Sequence, residues 1–215
     1  TPKDSSFAPL IFENLPDGRR VFYSGTGCGN VVCIDARTGQ SLWRFQMSHG
    51  GVNAGVILHD DKVIAIHGKE NLDSSVIGRM VAIQKPANLP TYGEDMLVLD
   101  RSSEVWRNSS MESFTSTPVY KDGRVYTTIK RGELVCLDAD TGEEHWVLKL
   151  SPDQVHASPT WADGKLFVPM FDGKVFIVVD EGDSGKVISE IDLGSACLAA
   201  PSVAHGGGSF KQRKN

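Results

Sequence analysis

The chain has 215 residues, of which 40% are hydrophobic and 23% are charged, a composition typical of a folded protein with a buried core. Its formal charge is −5, and no basic stripe interleaved with aromatic residues is present, so we expect no nucleic-acid partner. No apolar run reaches the roughly 18 residues of a membrane-spanning helix, and the first residues, Thr-Pro-Lys-Asp, lack the parts of a signal peptide. We therefore expect neither element within this chain.

The first motif along the chain is Val-Cys-Ile-Asp-Ala-Arg-Thr-Gly-Gln-Ser-Leu-Trp at residues 32–43, and it returns as Val-Cys-Leu-Asp-Ala-Asp-Thr-Gly-Glu-Glu-His-Trp at residues 135–146. Looser copies occupy residues 98–106 and 178–188, and in the last of these Ile188 stands at the Trp position. A short Pro- or Gly-containing landmark precedes each copy. Together they define a repeat of about 40 residues, whose second copy is longer.

Short β-branched and aromatic runs divided by Asp-Gly turns fill each repeat, most plainly in residues 157–193. Such runs predict four-stranded antiparallel meanders, whereas the apolar spacing of a helix is not sustained anywhere. Four strands per repeat predict an all-β fold, a β-propeller of four-stranded antiparallel blades with about four blades present.

Domain boundaries follow from the repeat. Residues 1–205 are predicted to form the propeller region and residues 206–215, which are glycine-rich and basic, a flexible tail. The second blade has two lengthened loops, at residues 69–77 and 86–94. The predicted blades cover approximately residues 7–46, 53–110, 115–150 and 157–193, with the start of a fifth blade at 199–204.

The repeated motif has a structural explanation. The Asp that ends the third strand can accept hydrogen bonds from the turn amides, the Thr can add its hydroxyl, and the Gly supplies a positive φ. The Trp that opens the fourth strand can be buried against a neighbouring blade. The residues predicted to play these parts are Asp35, Thr38, Gly39, Trp43, Trp106, Asp138, Thr141, Gly142 and Trp146.

The motif Ala-x-Asp-x-x-Thr-Gly-x-x-x-Trp resembles the tryptophan-docking motif of the pyrroloquinoline-quinone (PQQ) repeat propellers. That family includes quinoprotein alcohol dehydrogenases and the outer-membrane assembly lipoprotein BamB. In this chain Cys33 and Cys136 replace the usual small residue two before the Asp. The resemblance extends over roughly residues 7 to 205, and it implies a superfamily fold without implying an activity.

The resemblance also raises a question of assembly, because the family usually closes its ring with about seven or eight blades. Four blades predict either a partial propeller, as a piece of a longer one, or half of an assembled ring. In the second case we expect a homodimer in which the blade at residues 7–46 meets the blade at residues 157–193 of a second copy.

Candidate ligand-binding residues are those on the loops that leave the fourth strand and on the loops between the second and third strands, since both kinds of loop share the face of the propeller that holds the channel mouth. They suit an anionic ligand or a peptide, and the alternative is that they are ordinary polar loop residues. No catalytic group or metal site is predicted, and the cysteines are interpreted as small buried hydrophobic residues. The candidates are His49, His67, Arg107, Lys130, Arg131, His156 and Asp172.

The leading functional interpretation is a non-catalytic scaffold that mediates protein–protein interaction, as in BamB, with a protein partner, no cofactor and the periplasmic location that the resemblance implies. The first alternative is a fragment of a PQQ-dependent dehydrogenase, with PQQ and calcium as cofactors. Against it, no adjacent cysteine pair is present, and the acidic residues at 180–183 lie in a motif turn. The second alternative is a propeller domain that senses a small ligand.

Overall fold

The structure is a computed structural model in which residues 5–152, 156–204 and 207–209 are described. The chain divides between Glu112 and Ser113 into two compact units, called unit 1 and unit 2. Within the described residues the secondary structure is β-strand apart from one 3-10 turn at Arg101–Ser103. That part of the chain has no helix long and apolar enough to span a membrane. The predicted all-β class is confirmed.

Unit 1 contains two antiparallel blades. Blade 1 has the strand order β1-β2-β3-β4, with β8 added beside β4, and blade 2 has the order β5-β6-β7-β9. The strands are β1 (Ile11–Asn14), β2 (Arg20–Gly25), β3 (Asn30–Asp35), β4 (Ser41–Gln46), β5 (Ile57–His59), β6 (Lys62–Glu70), β7 (Ile77–Gln84), β8 (Leu97–Leu99) and β9 (Glu104–Asn108).

Unit 2 contains two further blades and a short hairpin. Blade 3 has the order β10-β11-β12-β13, blade 4 the order β14-β15-β16-β17, and β18 pairs with β19. Part of the predicted tail is therefore a strand, and the rest of it lies outside the described residues. The strands are β10 (Val119–Lys121), β11 (Arg124–Ile129), β12 (Glu133–Asp138), β13 (Glu144–Lys149), β14 (Thr160–Ala162), β15 (Lys165–Pro169), β16 (Lys174–Asp180), β17 (Gly185–Asp192), β18 (Ser202–Ala204) and β19 (Gly207–Ser209).

Strand β8 corrects the alignment of the second repeat. Residues 98–100 were aligned with the third strand of a blade, but the third strand of blade 2 is β7, and β8 pairs in parallel with β4 of blade 1. The segment between β7 and β8 is held against blade 1 by Gln40, whose Nε2 donates to the carbonyl oxygens of Thr91 (3.0 Å) and Glu94 (3.1 Å). The lengthened loop therefore extends the neighbouring sheet.

A register shift occurs at the same place in every blade and positions the tryptophans. Trp43 lies opposite Cys33, and Trp146 lies opposite Cys136, each beside a β-bulge. In blade 4 the residue at this position is Ser189, opposite Ile177. The alignment of Ile188 with Trp was therefore wrong, because the segment from Asp180 to Ser189 is one residue longer than the segment from Asp138 to Trp146.

All three predicted motif tryptophans are buried on strands, with relative exposures of 0% for Trp43, 8% for Trp106 and 6% for Trp146. In each unit the core includes side chains from both blades. In unit 1, Trp43 belongs to one cluster with blade 2 residues such as Val81. In unit 2, Trp146 belongs to a cluster with blade 4 residues such as Val178. Burial of this apolar surface is the main stabilising contribution to each unit.

The motif turns are closed by their aspartates. Asp35 Oδ1 accepts hydrogen bonds from the backbone N–H (2.8 Å) and the hydroxyl (2.9 Å) of Thr38. Asp138 Oδ1 accepts the same pair from Thr141, at 2.8 and 3.1 Å. The glycines that follow have φ values of 75° and 72°. The turn therefore needs a short acceptor at its start and a residue without a Cβ after the Thr.

One recurrent feature was not predicted from the sequence. A glycine with positive φ lies at the start of the third strand of every blade, just before it in blades 1, 3 and 4 and at its second residue in blade 2, and the chain that leaves the fourth strand packs on it. A Cβ on Gly29 would lie 2.0 Å from the Ser48 carbonyl oxygen, and one on Gly173 would lie 2.5 Å from that of Ser195. The four residues, with φ from 71° to 92°, are Gly29, Gly78, Gly132 and Gly173.

These glycines also accept hydrogen bonds from the departing chain. The Gly29, Gly132 and Gly173 carbonyl oxygens accept from the backbone N–H groups of Met47, Leu150 and Leu193, at 2.9, 3.0 and 3.0 Å. The turn between strands two and three therefore lies beside the exit from strand four in these blades. We call this end of a blade its glycine end.

Candidate functional site

The predicted ligand residues fall into two groups, one in each unit. His49, His67 and Arg107 belong to unit 1, whereas Lys130, Arg131, His156 and Asp172 belong to unit 2. Each group is described within its own unit.

Two members of the unit 2 group, His156 and Asp172, lie at an aromatic cluster, which we define as Phe114, His156 and Phe171. The His156 ring lies 5.8 Å from the Phe114 ring at 85° and 5.3 Å from the Phe171 ring at 62°. The backbone is fixed here too, because Thr115 Oγ1 donates to the His156 carbonyl oxygen at 3.0 Å. Phe171 is 39% exposed. The cluster therefore presents a supported aromatic surface to solvent.

Asp172 flanks this cluster at the glycine end of blade 4, and Lys130 and Arg131 lie at the glycine end of blade 3. Asp172 follows Phe171, and its carboxylate accepts from Ser151 Oγ at 3.2 Å. The Ser151 N–H donates in turn to Gly132, which follows the exposed Lys130 and Arg131. The arrangement places an aromatic centre near both signs of charge, which suits binding of a polypeptide surface.

His67 differs from its prediction as a loop residue at the channel mouth. It lies within β6 and is 0% exposed. Its Nδ1 accepts from the Lys69 N–H at 3.2 Å, whereas Nε2 has no hydrogen-bond partner among the described residues. Burial, and then the nearby positive charge of Arg79, lowers its pKa to about 4. His67 is therefore a neutral core residue that solvent does not reach.

His49 keeps an exposed side chain, while its N–H donates to the Glu70 carbonyl oxygen at 3.0 Å. Arg107 lies on β9, not in a loop, and is engaged by two carboxylates. Its Nε donates to Glu104 at 2.6 Å and its Nη1 to Asp73 at 2.7 Å.

Sequence reasoning missed the partners of Arg107. Asp73 also accepts from Arg79 Nη2 at 2.6 Å and from Arg101 Nη1 at 3.2 Å. The hydrogen bond from Arg79, followed by that from Arg107, holds the pKa of the Asp73 carboxyl well below its usual range. The one signal in the sequence was the arginine within the otherwise apolar strand Ile-Gly-Arg-Met-Val-Ala-Ile.

Unit 1 also contains a cleft of about 610 Å³, with Glu13, Tyr23, Trp43 and Lys85 among its lining residues. Tyr23 donates to Glu13 Oε2 at 2.6 Å, and Lys85 donates to Oε1 at 2.7 Å. Trp43 Nε1 is buried and has no acceptor in the described part of the chain. Burial and the Glu13 hydrogen bond raise the pKa of Tyr23, so its hydroxyl stays protonated.

The corresponding place in unit 2 is fully paired. Asp180 accepts from Trp146 Nε1 at 3.0 Å, from the Tyr126 hydroxyl at 2.7 Å and from Arg124 at 2.9 Å. Burial would raise the pKa of Asp180, but the hydrogen bonds from Tyr126, Gly182 and Trp146 outweigh burial and lower it. The carboxylate therefore joins blade 4 to blade 3 as a structural group.

The cysteines do not form the set that PQQ chemistry requires. No two of them are adjacent in the sequence, and burial raises the pKa of Cys33 to about 12 and of Cys136 to about 11. Such thiols stay protonated and unreactive. Within either unit, the described residues bring together no three His, Cys, Asp or Glu side chains that could hold a metal ion.

The model of the family described as outer membrane protein assembly factor BamB matches residues 94–206, more than half of the chain. The chain belongs to this family. The match covers all of blades 3 and 4 as well as the aromatic cluster. The resemblance to PQQ-repeat propellers is confirmed, while no curated protein matches the chain.

Solved structures show the fold that BamB-family membership predicts. The computationally designed protein Ika4 is 15% identical and has a TM-score of 0.56 over 81% of this chain and 91% of its own. Quinohemoprotein alcohol dehydrogenase ADHIIG from Pseudomonas putida HK5 is 16% identical, with a TM-score of 0.57 over 80% of this chain and 33% of its own. BamB from Moraxella catarrhalis is 16% identical, with a TM-score of 0.41 over 98% and 81% of the two chains. The predicted partial β-propeller is confirmed.

Proposed function

We propose that the chain is a non-catalytic propeller scaffold that binds a protein partner through the aromatic cluster of unit 2. By its family, the partner is a component of outer-membrane protein assembly, and the location is extracytoplasmic. The observation that carries the proposal is the exposed Phe171, held by His156 and flanked by Asp172, inside the segment that matches the BamB family.

The geometry of the cluster supports binding. An aromatic ring has few rotatable bonds, and the contacts of Phe171 with His156 restrict it further, so little conformational entropy is lost when a partner covers it. Aromatic residues dominate the energetics of interfaces when charged and polar residues surround them. Lys130, Arg131 and Asp172 supply such groups, and they favour a partner surface that carries both signs of charge.

Affinity capture tests the proposal. The tagged chain, incubated with solubilised envelope proteins of its source organism, is expected to enrich an outer-membrane assembly component. Phe171→Ala is expected to reduce that enrichment about tenfold, the effect of losing about 1.4 kcal/mol of binding free energy. The matched control is Phe12→Ala, which removes another exposed phenylalanine (49% exposed) from β1 of unit 1. Equal capture by wild type and Phe171→Ala contradicts the proposal.

The absence of a cofactor is part of the same proposal. Titration of the chain with PQQ in the presence of calcium is expected to leave the PQQ absorbance spectrum unchanged. Tight binding with a shifted spectrum would favour the dehydrogenase-fragment alternative. The cleft of unit 1 is the feature that favours the sensor alternative, because its volume of about 610 Å³ would admit a small ligand. A rise in melting temperature with a small-molecule library, lost on Lys85→Ala, would support that alternative.

A further inference from the structure

Two arginines lie next to each other on one face of blade 2. Arg107 of β9 is paired directly with Val81 of β7, and Arg79 precedes Val81 by two residues, so the two arginines are diagonal neighbours on the same side of the sheet. Arg79 is 5% exposed. Two like charges in this relation destabilise a sheet unless an anion lies between them.

In two of the other blades the same positions carry complementary side chains. In blade 4 they are Lys174 and Glu190, which form an ion pair of 2.6 Å. In blade 1 they are Asn30 and Arg44, joined by a hydrogen bond of 3.5 Å. Blade 2 therefore differs from blades 1 and 4 by having two cations at these positions, whereas in blade 3 they are Glu133 and Val147.

Asp73 supplies the anion that lies between the two arginines, while Glu104 is a second partner of Arg107 alone. Its Oδ1 accepts from Arg79 and its Oδ2 from Arg107, so one carboxylate bridges both guanidinium groups. Asp73 belongs to the loop between β6 and β7, one of the two lengthened loops of this blade. The two arginines therefore form a binding site for a carboxylate, and the Nε–H of Arg79 is a further donor beside it that has no acceptor within the described residues.

An apolar cleft adjoins this site. It has a volume of about 260 Å³, and Phe45, Met47, Leu72 and Val81 contribute apolar surface to it, while Arg101 lies at its edge. Leu72 is 40% exposed and precedes Asp73. The loop therefore presents an aliphatic residue followed by a carboxylate, and the site accommodates both.

We propose that Arg79 and Arg107 are the receptor for an acidic residue that follows an aliphatic one in an extended segment of the protein partner. Asp73 occupies this receptor in the unbound protein. The proposal rests on the proposed function and adds a second contact to it. Arg79 is buried and needs an anion at all times, so the partner's carboxylate exchanges with Asp73 and the site is never empty. Because Asp73 is tethered, its high effective concentration weakens binding of any competing carboxylate.

The probe is an acetylated, amidated peptide with the sequence of residues 71–75, Asn-Leu-Asp-Ser-Ser, and its control carries Asn in place of Asp. The full chain with Asp73→Asn is expected to bind the Asp peptide about tenfold more tightly than wild type does, because the internal competitor is gone. It is also expected to prefer the Asp peptide to the Asn peptide about tenfold. A folded Asp73→Asn chain that binds neither peptide, or both equally, overturns the proposal.

A second variant covers the case in which Asp73→Asn does not fold. Leu72→Ala keeps the bridging carboxylate and removes only a partly exposed side chain, so it weakens the internal occupant and is expected to tighten binding of the Asp peptide several-fold. Ser74→Ala, in the same loop, is the control and should match wild type. No gain for Leu72→Ala over Ser74→Ala counts against the proposal.

The two proposals fail in different ways. Peptide titration reports on the arginine receptor alone, whereas Phe171→Ala capture reports on the aromatic cluster. If envelope capture depends on Phe171 but the peptides do not bind, the receptor is wrong and the scaffold function stands. If the Asp peptide binds but no assembly component is captured, the receptor stands and the proposed function is wrong.

Discussion

Two tryptophans at the same blade position have different surroundings. Trp146 donates its indole N–H to Asp180, whereas Trp43 is fully buried with an indole nitrogen that has no acceptor among the described residues. A buried donor without a partner costs free energy, and burial of the large ring offsets that cost in unit 1. The tryptophan position is therefore defined by packing, and the hydrogen bond is an additional contribution in unit 2.

The first prediction concerns Asp180. Replacement by Ala leaves Arg124, Tyr126 and Trp146 without their shared acceptor, and we expect the free energy of unfolding to fall by about 3 kcal/mol, because groups that lose a buried charged partner are strongly destabilising. Urea denaturation followed by tryptophan fluorescence measures the change. Asp183→Ala in the same turn, where the side chain is exposed, is the control and should change stability little. A loss as small as that of the control would contradict the structural role of Asp180.

The second prediction concerns His67 and pH. Its pKa of about 4 in the folded chain lies below the unfolded value of about 6.5. The unfolded chain therefore binds the proton first, so the stability contribution of neutral His67 is present above pH 6.5 and is lost as pH falls towards 4. We expect His67→Gln to reduce this loss by up to about 1.4 kcal/mol for each pH unit in the window.

Thermal or urea denaturation at several pH values between 7 and 4 measures the effect, and the slope is compared between variants so that carboxylate titration cancels. His49→Gln, which changes an exposed histidine, should give the same slope of unfolding free energy against pH as wild type. Parallel slopes for His67→Gln and wild type would show that His67 is not buried in its neutral form.

At the scale of elements, the most direct prediction concerns the lengthened loop of blade 2 at residues 86–94. Gln40 donates to Thr91 and Glu94 and accepts from the Gly93 N–H at 3.1 Å. Gln40→Ala should therefore release residues 86–94 from blade 1 and make them the first site of cleavage in limited proteolysis. We expect a loss of stability of only about 1 kcal/mol, because these hydrogen bonds are exposed. Arg37→Ala, in the same motif turn, should be cut no faster than wild type.

The elements that the sequence predicted are those with local causes. The turn at Asp35, the tryptophan strands and the alternation of apolar residues are all encoded within a few neighbouring residues. Strand β8 and the place of Ser189 were missed because they depend on pairing with a distant strand and on one extra turn residue. Loop contacts decide such details, and a single sequence does not contain them.

The candidate site was predictable only in part, for the same reason. Lys130, Arg131, His156 and Asp172 lie in loops, as their positions in the repeat indicated, and their role in binding stays a prediction. His67 was misplaced because the strand β6 extends further than the repeat suggested. The bridge between Arg79 and Arg107 was missed because no spacing in the sequence shows that a carboxylate from a lengthened loop returns to the sheet.

At the scale of the whole molecule, the homodimer expected from the number of blades stays a prediction. Each unit has exposed apolar side chains, such as Phe12 in blade 1 and Ile191 in blade 4, and such surface is usually covered. Analytical ultracentrifugation measures the assembly directly. If the chain is half of an assembled ring, a mass of twice 23.3 kDa is expected. A monomer without binding of a hydrophobic dye would contradict the dimer, and heavy aggregation would favour a piece of a longer propeller.

The glycine ends have a consequence for how this chain can be altered. In blade 2 the lengthened loop is inserted just before Gly78, and the contact of Gly78 with Glu112 resembles the close approach at Gly29 and Gly173. The close approach of the departing chain to the glycine therefore does not depend on the length of the loop before the glycine. Each blade has a glycine end, so we expect foreign peptides inserted between the second strand and this glycine to be displayed without loss of the fold. The glycine that follows the insertion must be kept.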